Sequence, residues 1–419
     1  MTRNCPAHSN PMPMDERYWP DPHRTNAALI EQGPVHRVCL PDRIPVWLVT
    51  GYDEVSTGLK DPRLVRMRKY AGPDYTATQY PEGQPDSKLV MEDPPEHDAT
   101  RDLIDVAFTR GRVDAILPRI RETVTRLLDD LEHEAAEHDG VVDLMRSFFA
   151  PLPSIVVSGV LGLPDEHIDR VMTVTNAEFG RADGLPDPGD DIDPLGAAAA
   201  HTQAELFGVL TELVESRRAE PTDDPISDWA NATDDNGDLL PVHDVVALVV
   251  IIFFGGYDAT AGMLVTSTLD LLAHPEQLAK LRDNPELFPV AVEELLRRNS
   301  SVMRGFRRFA KEDMEIAGRP VAAGDTVLLS INAANRDPAV FADAQSFDLD
   351  RSNNQRHLAF GRGPHRCPGH ALATAEVTIA LAELFRRFPD LEVAVPREKI
   401  PWRRSTFCRA AYALPAKLG

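Results

Sequence analysis

The sequence predicts a mainly α protein with small β-sheets, and three observations carry that expectation. Helical spacing of apolar residues recurs through most of the 419 residues, β-like runs are few and short, and no Gly/Ser-rich linker divides the chain. Length alone would allow two or three domains. Without a linker, the expectation is a single domain over residues 1–419, with an irregular tail at about residues 1–15.

To about Val65, prolines are mixed with β-like pieces such as residues 46–50, closed by Gly51-Tyr52-Asp53, which predicts a small sheet. Residues 66–95, rich in Gly, Pro, Asp and Tyr and lacking a helical period, predict a long loop. Over residues 97–137, Val113, Ile116, Ile120, Val124, Leu127, Leu128 and Leu131 form the apolar stripe of a helical stretch. Residues 180–194, and the acidic residues 219–236, predict exposed connections. Residues 244–274 read as one long helix, apolar nearly all round in its first half and therefore central, and Pro275 starts the next. After Arg297 β-like runs return at residues 314–316 and 326–330, followed by helix over 370–388 and a strand at 391–395.

Composition narrows the function. Hydrophobic content of 43% and charged content of 26% are those of a globular protein, and a net charge of -22 opposes nucleic-acid binding, which needs cations against phosphates. Cys5, Cys39, Cys367 and Cys408 form no C-x-x-C pair, so neither a disulfide framework nor a four-cysteine cluster is implied, and a reducing cytoplasm fits best. The N-terminus lacks a signal-like apolar stretch, and the longest apolar run, residues 245–254, is about half the length that spans a bilayer. No membrane association is expected.

The densest site is Phe360-Gly361-Arg362-Gly363-Pro364-His365-Arg366-Cys367-Pro368-Gly369, which runs directly into a helix. Glycines at 361, 363 and 369 permit turns and close backbone approach, while the helix that follows favours a negative sulfur at Cys367. A lone cysteine in a Gly-rich turn is otherwise a small buried hydrophobe. This loop, however, matches F-G-x-G-x-H-x-C-x-G at every specified position and so resembles the haem-binding motif of cytochromes P-450.

The resemblance implies the triangular cytochrome P-450 fold, haem b, and Cys367 as the axial iron ligand. Glu294-Leu295-Leu296-Arg297 matches the family's Glu-x-x-Arg, and residues 347–351 resemble its meander, whose Arg351 would join Glu294 and Arg297 in one network. Standing alone, the tetrapeptide would be an i,i+3 pair on a surface helix. Residues 93–101 resemble the segment that gives His97 and Arg101 to the haem propionates, and Arg308 and His365 match two further propionate partners. Phe360, Gly361 and Gly369 complete the cofactor-binding set.

On the oxygen side, residues 255–260 align with the family's A-G-x-[D/E]-T-T, so the resemblance makes Asp258 the acid that relays protons. Ala259 stands where the alcohol should follow, and Thr260 lies one residue further round the helix. A substrate hydroxyl or amide, an ordered water, or a reaction less sensitive to that proton would compensate. The first is preferred and points to a polar secondary metabolite, such as a polyketide or peptide-derived molecule, undergoing hydroxylation. Oxidative C-C or C-N coupling of aromatic or indole-containing substrates is the rival, and a haem-based sensor or carrier the reading from another class. Candidate substrate contacts are Val90, Gly256, Ala259, Val302 and Phe407. No dinucleotide fingerprint is present, so electrons from NAD(P)H are expected through a separate ferredoxin and ferredoxin reductase, docking on Arg110, Arg112, Arg362 and Arg366.

Overall fold

The computed structural model describes residues 10–12, 18–40, 44–73, 75, 89–164, 166–168, 197–234 and 236–419. Its helices are α1 (Pro22–Gln32), α2 (Tyr52–Gly58), α3 (Glu96–Asp105), α4 (Arg110–Glu137), α5 (Pro151–Leu161), α6 (Ala197–Ala219), α7 (Pro225–Ala230), α8 (Val242–Leu272), α9 (Pro275–Asp283), α10 (Phe288–Asn299), α11 (Ile331–Ala334) and α12 (His370–Arg387). The strands are β1 (Asn10–Pro11), β2 (Val35–Cys39), β3 (Pro45–Val49), β4 (Leu64–Val65), β5 (Val141–Asp143), β6 (Arg308–Ala310), β7 (Met314–Ile316), β8 (Arg319–Val321), β9 (Thr326–Leu329), β10 (Glu392–Val393) and β11 (Pro415–Lys417).

The central helix lies where its sequence requires. By length and composition α8 could cross a bilayer, but α5, α6, α10 and α12 pack around it. Val245, Val246, Val249, Phe253, Leu264 and Val265 are buried in the main core. The stripe on α4 behaves as expected, with Val113, Ile120, Val124, Leu127, Leu128 and Leu131 buried. The helical stretch over residues 97–137 comprises two helices. A 3-10 turn at Val106–Phe108 and the extended backbone of Thr109 (φ -58°, ψ 149°) separate α3 from α4.

The main sheet runs β1-β2-β3-β9-β6-β4. It joins the first 65 residues to a segment near 308–329, with Leu48 beside Leu328 in parallel and Val65 opposite Phe309 in antiparallel pairing. A second sheet, β10-β11-β5, fixes the C-terminus against Val141–Asp143. Despite the sparse cysteines, Cys39 is disulfide-bonded.

One exposed connection was misread. Residues 219–236 contain α7, whose Ile226, Trp229 and Ala230 are buried, with Trp229 Nε1 donating to the Leu103 carbonyl at 2.8 Å. The signal was local: Asp224 caps the helix through the Ser227 amide at 2.7 Å, and Pro225 occupies the first turn. The connection at residues 180–194 lies outside the described residues, as do 74 and 76–88 of the long loop.

Candidate active site

The loop around Cys367 is shaped by its own backbone. The Cys367 amide donates to the Phe360 carbonyl at 2.9 Å, closing the turn. Gly361 and Gly363 have φ of 67° and 74°, and a Cβ on Gly363 would lie 2.9 Å from the Leu59 carbonyl oxygen. Gly369 is different. Its φ is -84°, and the constraint there is the Phe108 ring, 3.1 Å from where a Cβ would be. Phe360 packs between the rings of His357 and His370.

Burial pushes the Cys367 thiol up, outweighing a hydrogen bond from the Gly369 backbone and the nearby Arg101 and Arg366 charges, which act to lower it. The helix start alone does not make this sulfur a thiolate. Ionisation at this position needs a further cation, as an iron ligand would have.

The Glu-x-x-Arg pair is fully buried. Arg297 grips Glu294 through two bonds, Nε to Oε2 at 2.7 Å and Nη2 to Oε1 at 2.8 Å, and its remaining donors reach the carbonyls of Asn335, Ala344 and Ser346. Arg351 Nε adds a bond to Glu294 Oε1 at 3.2 Å. The network continues to the cysteine loop, because the Asn335 side chain accepts from the Leu358 amide at 2.6 Å, two residues before Phe360. A surface helix pair is ruled out by that burial.

His97, His365 and Arg308 converge beside the loop. The two imidazoles lie 4.1 Å apart between ring centroids. Burial pushes His365 down to about 3, and Arg308 down to about 10. His97 Nε2 and Arg308 Nε have no hydrogen-bond partner among the described residues. Buried donors of this kind are costly unless an acceptor meets them, and two carboxylates of a haem would do so. Arg101 sits at the same place but faces the loop backbone, donating to the carbonyls of Pro364 and Arg366 at 3.2 and 2.5 Å. Arg66, which sequence reasoning missed, is also buried in this cluster, its backbone amide donating to Asp93 Oδ2 at 2.8 Å.

On α8, Asp258 is buried in an ion pair with Arg403, a residue that sequence reasoning did not single out. The Cys408 thiol approaches the Asp258 carbonyl at 3.8 Å, and the Ser301 hydroxyl donates to the Ala259 carbonyl at 2.5 Å. Thr260 is buried one position further along. A Cβ on Gly256 would meet Val157 of α5 at 3.0 Å, so this glycine lets α5 pack closely, while Gly255 has open space around it.

The other substrate candidates are joined by residues between them. Arg66 Nη1 donates to the Val90 carbonyl at 3.1 Å, and its guanidinium lies 5.4 Å from the Phe306 ring centroid. Phe306 packs on Phe407 at 4.5 Å, and Val302 bridges to Cys408. Of the four docking arginines, Arg110 and Arg366 are exposed. Arg112 is paired with Asp228, and Arg362 bonds to Ser56 and Tyr52.

Comparison with known proteins agrees with this geometry. The cytochrome P450 family model matches residues 33–403. Nocardicin C N-oxygenase of Nocardia uniformis subsp. tsuyamanensis is 39% identical over 94% of this chain and 95% of its own. The 6-deoxyerythronolide B hydroxylase of Saccharopolyspora erythraea is 35% identical over 95% and 96%. Among solved structures, the enzyme CxnD, for C-S bond formation in chuangxinmycin biosynthesis, superposes with a TM-score of 0.84 at 30% identity, covering 100% of this chain and 99% of that one.

Proposed function

Because the chain belongs to the cytochrome P450 family, an enzyme family of haem-thiolate oxidation, we propose that it hydroxylates a polar natural product whose own hydroxyl or amide takes part in proton delivery. The observation that carries this reading is half-buried Ala259 immediately after buried Asp258 on α8. With no hydroxyl at 259, a polar substrate atom over Ala259 completes the hydrogen-bond chain that Asp258 begins. The relatives are consistent with such substrates, one acting on nocardicin C and another on 6-deoxyerythronolide B.

Each residue then has a task. Cys367 supplies the sulfur ligand, and the Glu294–Arg297–Arg351 network, through Asn335 and Leu358, braces the loop that presents it. His97, Arg308 and His365 receive the propionates, while Arg101 braces the cysteine loop through the Pro364 and Arg366 carbonyls. When bound, haem supplies the oxygen-activating iron chemistry. Arg403 pairs with the buried Asp258 side chain and so orients the acid before a proton is needed. Val90, Val302 and Phe407, with Phe306, form the substrate wall. Electrons arrive from NAD(P)H through a ferredoxin and its reductase, in the cytoplasm, and the whole chain forms one haem domain.

Oxidative coupling is the second reading, favoured by the likeness to an enzyme of C-S bond formation. One experiment separates the two. A natural-product panel is screened for substrate-induced shifts of the haem band, and any hit is turned over under isotopically labelled oxygen. Hydroxylation predicts one labelled atom in the product. A product that gains no oxygen establishes coupling, and binding confined to apolar hydrocarbons refutes the polar-substrate reading.

A further inference from the structure

Strand β4 pairs antiparallel with β6, Leu64 opposite Ala310 and Val65 opposite Phe309. Carried one residue further, the same register sets Arg66 opposite Arg308. Residues so placed share a face of the sheet, with Cβ atoms about 4.5–5.5 Å apart, and like charges there repel. Both arginines are buried, so water does little to screen them.

The protein provides too little negative charge for this pair. The carboxylate beside them is Asp93, whose Oδ2 is taken by the backbone amides of Arg66 and Met67 at 2.8 and 3.0 Å. Its Oδ1 lies 4.0 Å from His365 Nε2, and among the described residues no ion pair joins it to either guanidinium. Arg66 gives one donor to the Val90 carbonyl at 3.1 Å, and Arg308 donates to the carbonyls of Leu64 at 2.9 Å and Leu59 at 3.5 Å. The Nε atoms of both, and Nε2 of His97, find no partner among the described residues. Asp61 also acts on Arg308 but is held by Arg63, so the two buried cations and two histidines still call for another anion.

We propose that Arg66 is a haem-binding residue, sharing one haem carboxylate with Arg308 from the opposite strand. The inference rests on reading His97, Arg308 and His365 as the propionate seat. It adds a residue which the family motifs did not indicate, and it links the seat to the substrate wall, since the Arg66 guanidinium lies on Phe306, and Phe306 on Phe407.

The test uses the holoenzyme and three variants, Arg66→Met, Arg66→Lys and Arg308→Met. Haem transfer to excess apomyoglobin gives the loss rate, and a spectroelectrochemical titration gives the ferric/ferrous potential. Arg66→Met should lose haem about ten- to a hundredfold faster, the worth of one hydrogen bond to a charged group. Its potential should move negative, because a cation near the carboxylate has gone, while Arg66→Lys stays close to the parent in both. If Arg308→Met sheds haem quickly while Arg66→Met matches the parent in rate and potential, the Arg66 proposal is overturned and the seat stands. If both match the parent, the seat itself is misassigned. Should Arg66→Met fail to accumulate, Arg66→Gln replaces it. Fast loss from Gln with slow loss from Lys supports the proposal, and equal rates in the two overturn it.

Discussion

Glu376 is buried on α12 with Oε1 unpartnered among the described residues, and burial alone pushes its carboxyl up to about 8. The folded protein therefore keeps a proton there that the unfolded chain, at an ordinary carboxyl value of 4.5, has already lost at neutral pH. Between those values the native state binds more protons than the unfolded state, so stability is full below about pH 4.5 and falls as pH rises towards 8. At about 1.36 kcal/mol per pH unit, the loss reaches about 3 kcal/mol at pH 7. Glu376→Gln removes the titration while keeping the shape. Any cost of burying the amide is independent of pH, so the slope is diagnostic. Urea midpoints of the two holoproteins, measured from pH 5 to pH 8, should diverge steadily in favour of the variant, by about 3 kcal/mol over this range. Parallel pH profiles would refute the argument and mean that Glu376 ionises in place or has a partner.

Four further outcomes are expected. Cys367→Ala should abolish the long-wavelength band that reduced, carbon-monoxide-bound thiolate haem shows, and a band typical of histidine ligation in the unaltered protein would overturn the ligand assignment. Glu294→Ala or Arg297→Ala strands a fully buried charge, at a cost of about 3–5 kcal/mol, and haem content per purified protein should collapse; normal loading in both would contradict the network's role. Ala259→Thr should improve coupling of NADPH consumption to product for a substrate analogue lacking the assisting polar group, by about ten- to a hundredfold at most, with equal coupling of analogue and natural substrate in the parent counting against substrate assistance. Reversing the charge of exposed Arg110 and Arg366 should slow reduction by ferredoxin and flatten its salt dependence without changing substrate binding, and unchanged kinetics would move the docking face elsewhere.

Legibility in the sequence followed the range of each interaction. The Cys367 loop could be read because its constraints are local: Gly361 and Gly363 answer to their own φ angles. The long α8 could be read from apolar residues on every side, and Glu294 with Arg297 from an i,i+3 spacing. What escaped was set across the fold. Arg403 reaches Asp258 over a separation of 145 residues, and Arg66 meets Arg308 only through a strand register that no local pattern encodes. The packing role of Gly256 escaped for the same reason, since its neighbour Val157 belongs to another helix. By contrast α7 was lost to composition. Its acidic surroundings hid a capped helix carrying a buried tryptophan.

The pairing of Asp258 with Arg403 also ties α8 to a segment 145 residues away in sequence, and until that segment packs, Asp258 lacks its guanidinium partner. The last segment closes this gap in several ways together: Arg403 meets the carboxylate, the Arg409 amide donates to the Ser301 carbonyl at 2.7 Å, and the Arg409 carbonyl fills the space a Cβ on Gly262 would need. A substitution in the 403–409 segment would therefore disturb the setting of Asp258 and the packing at Gly262 together, although neither residue is near it in sequence.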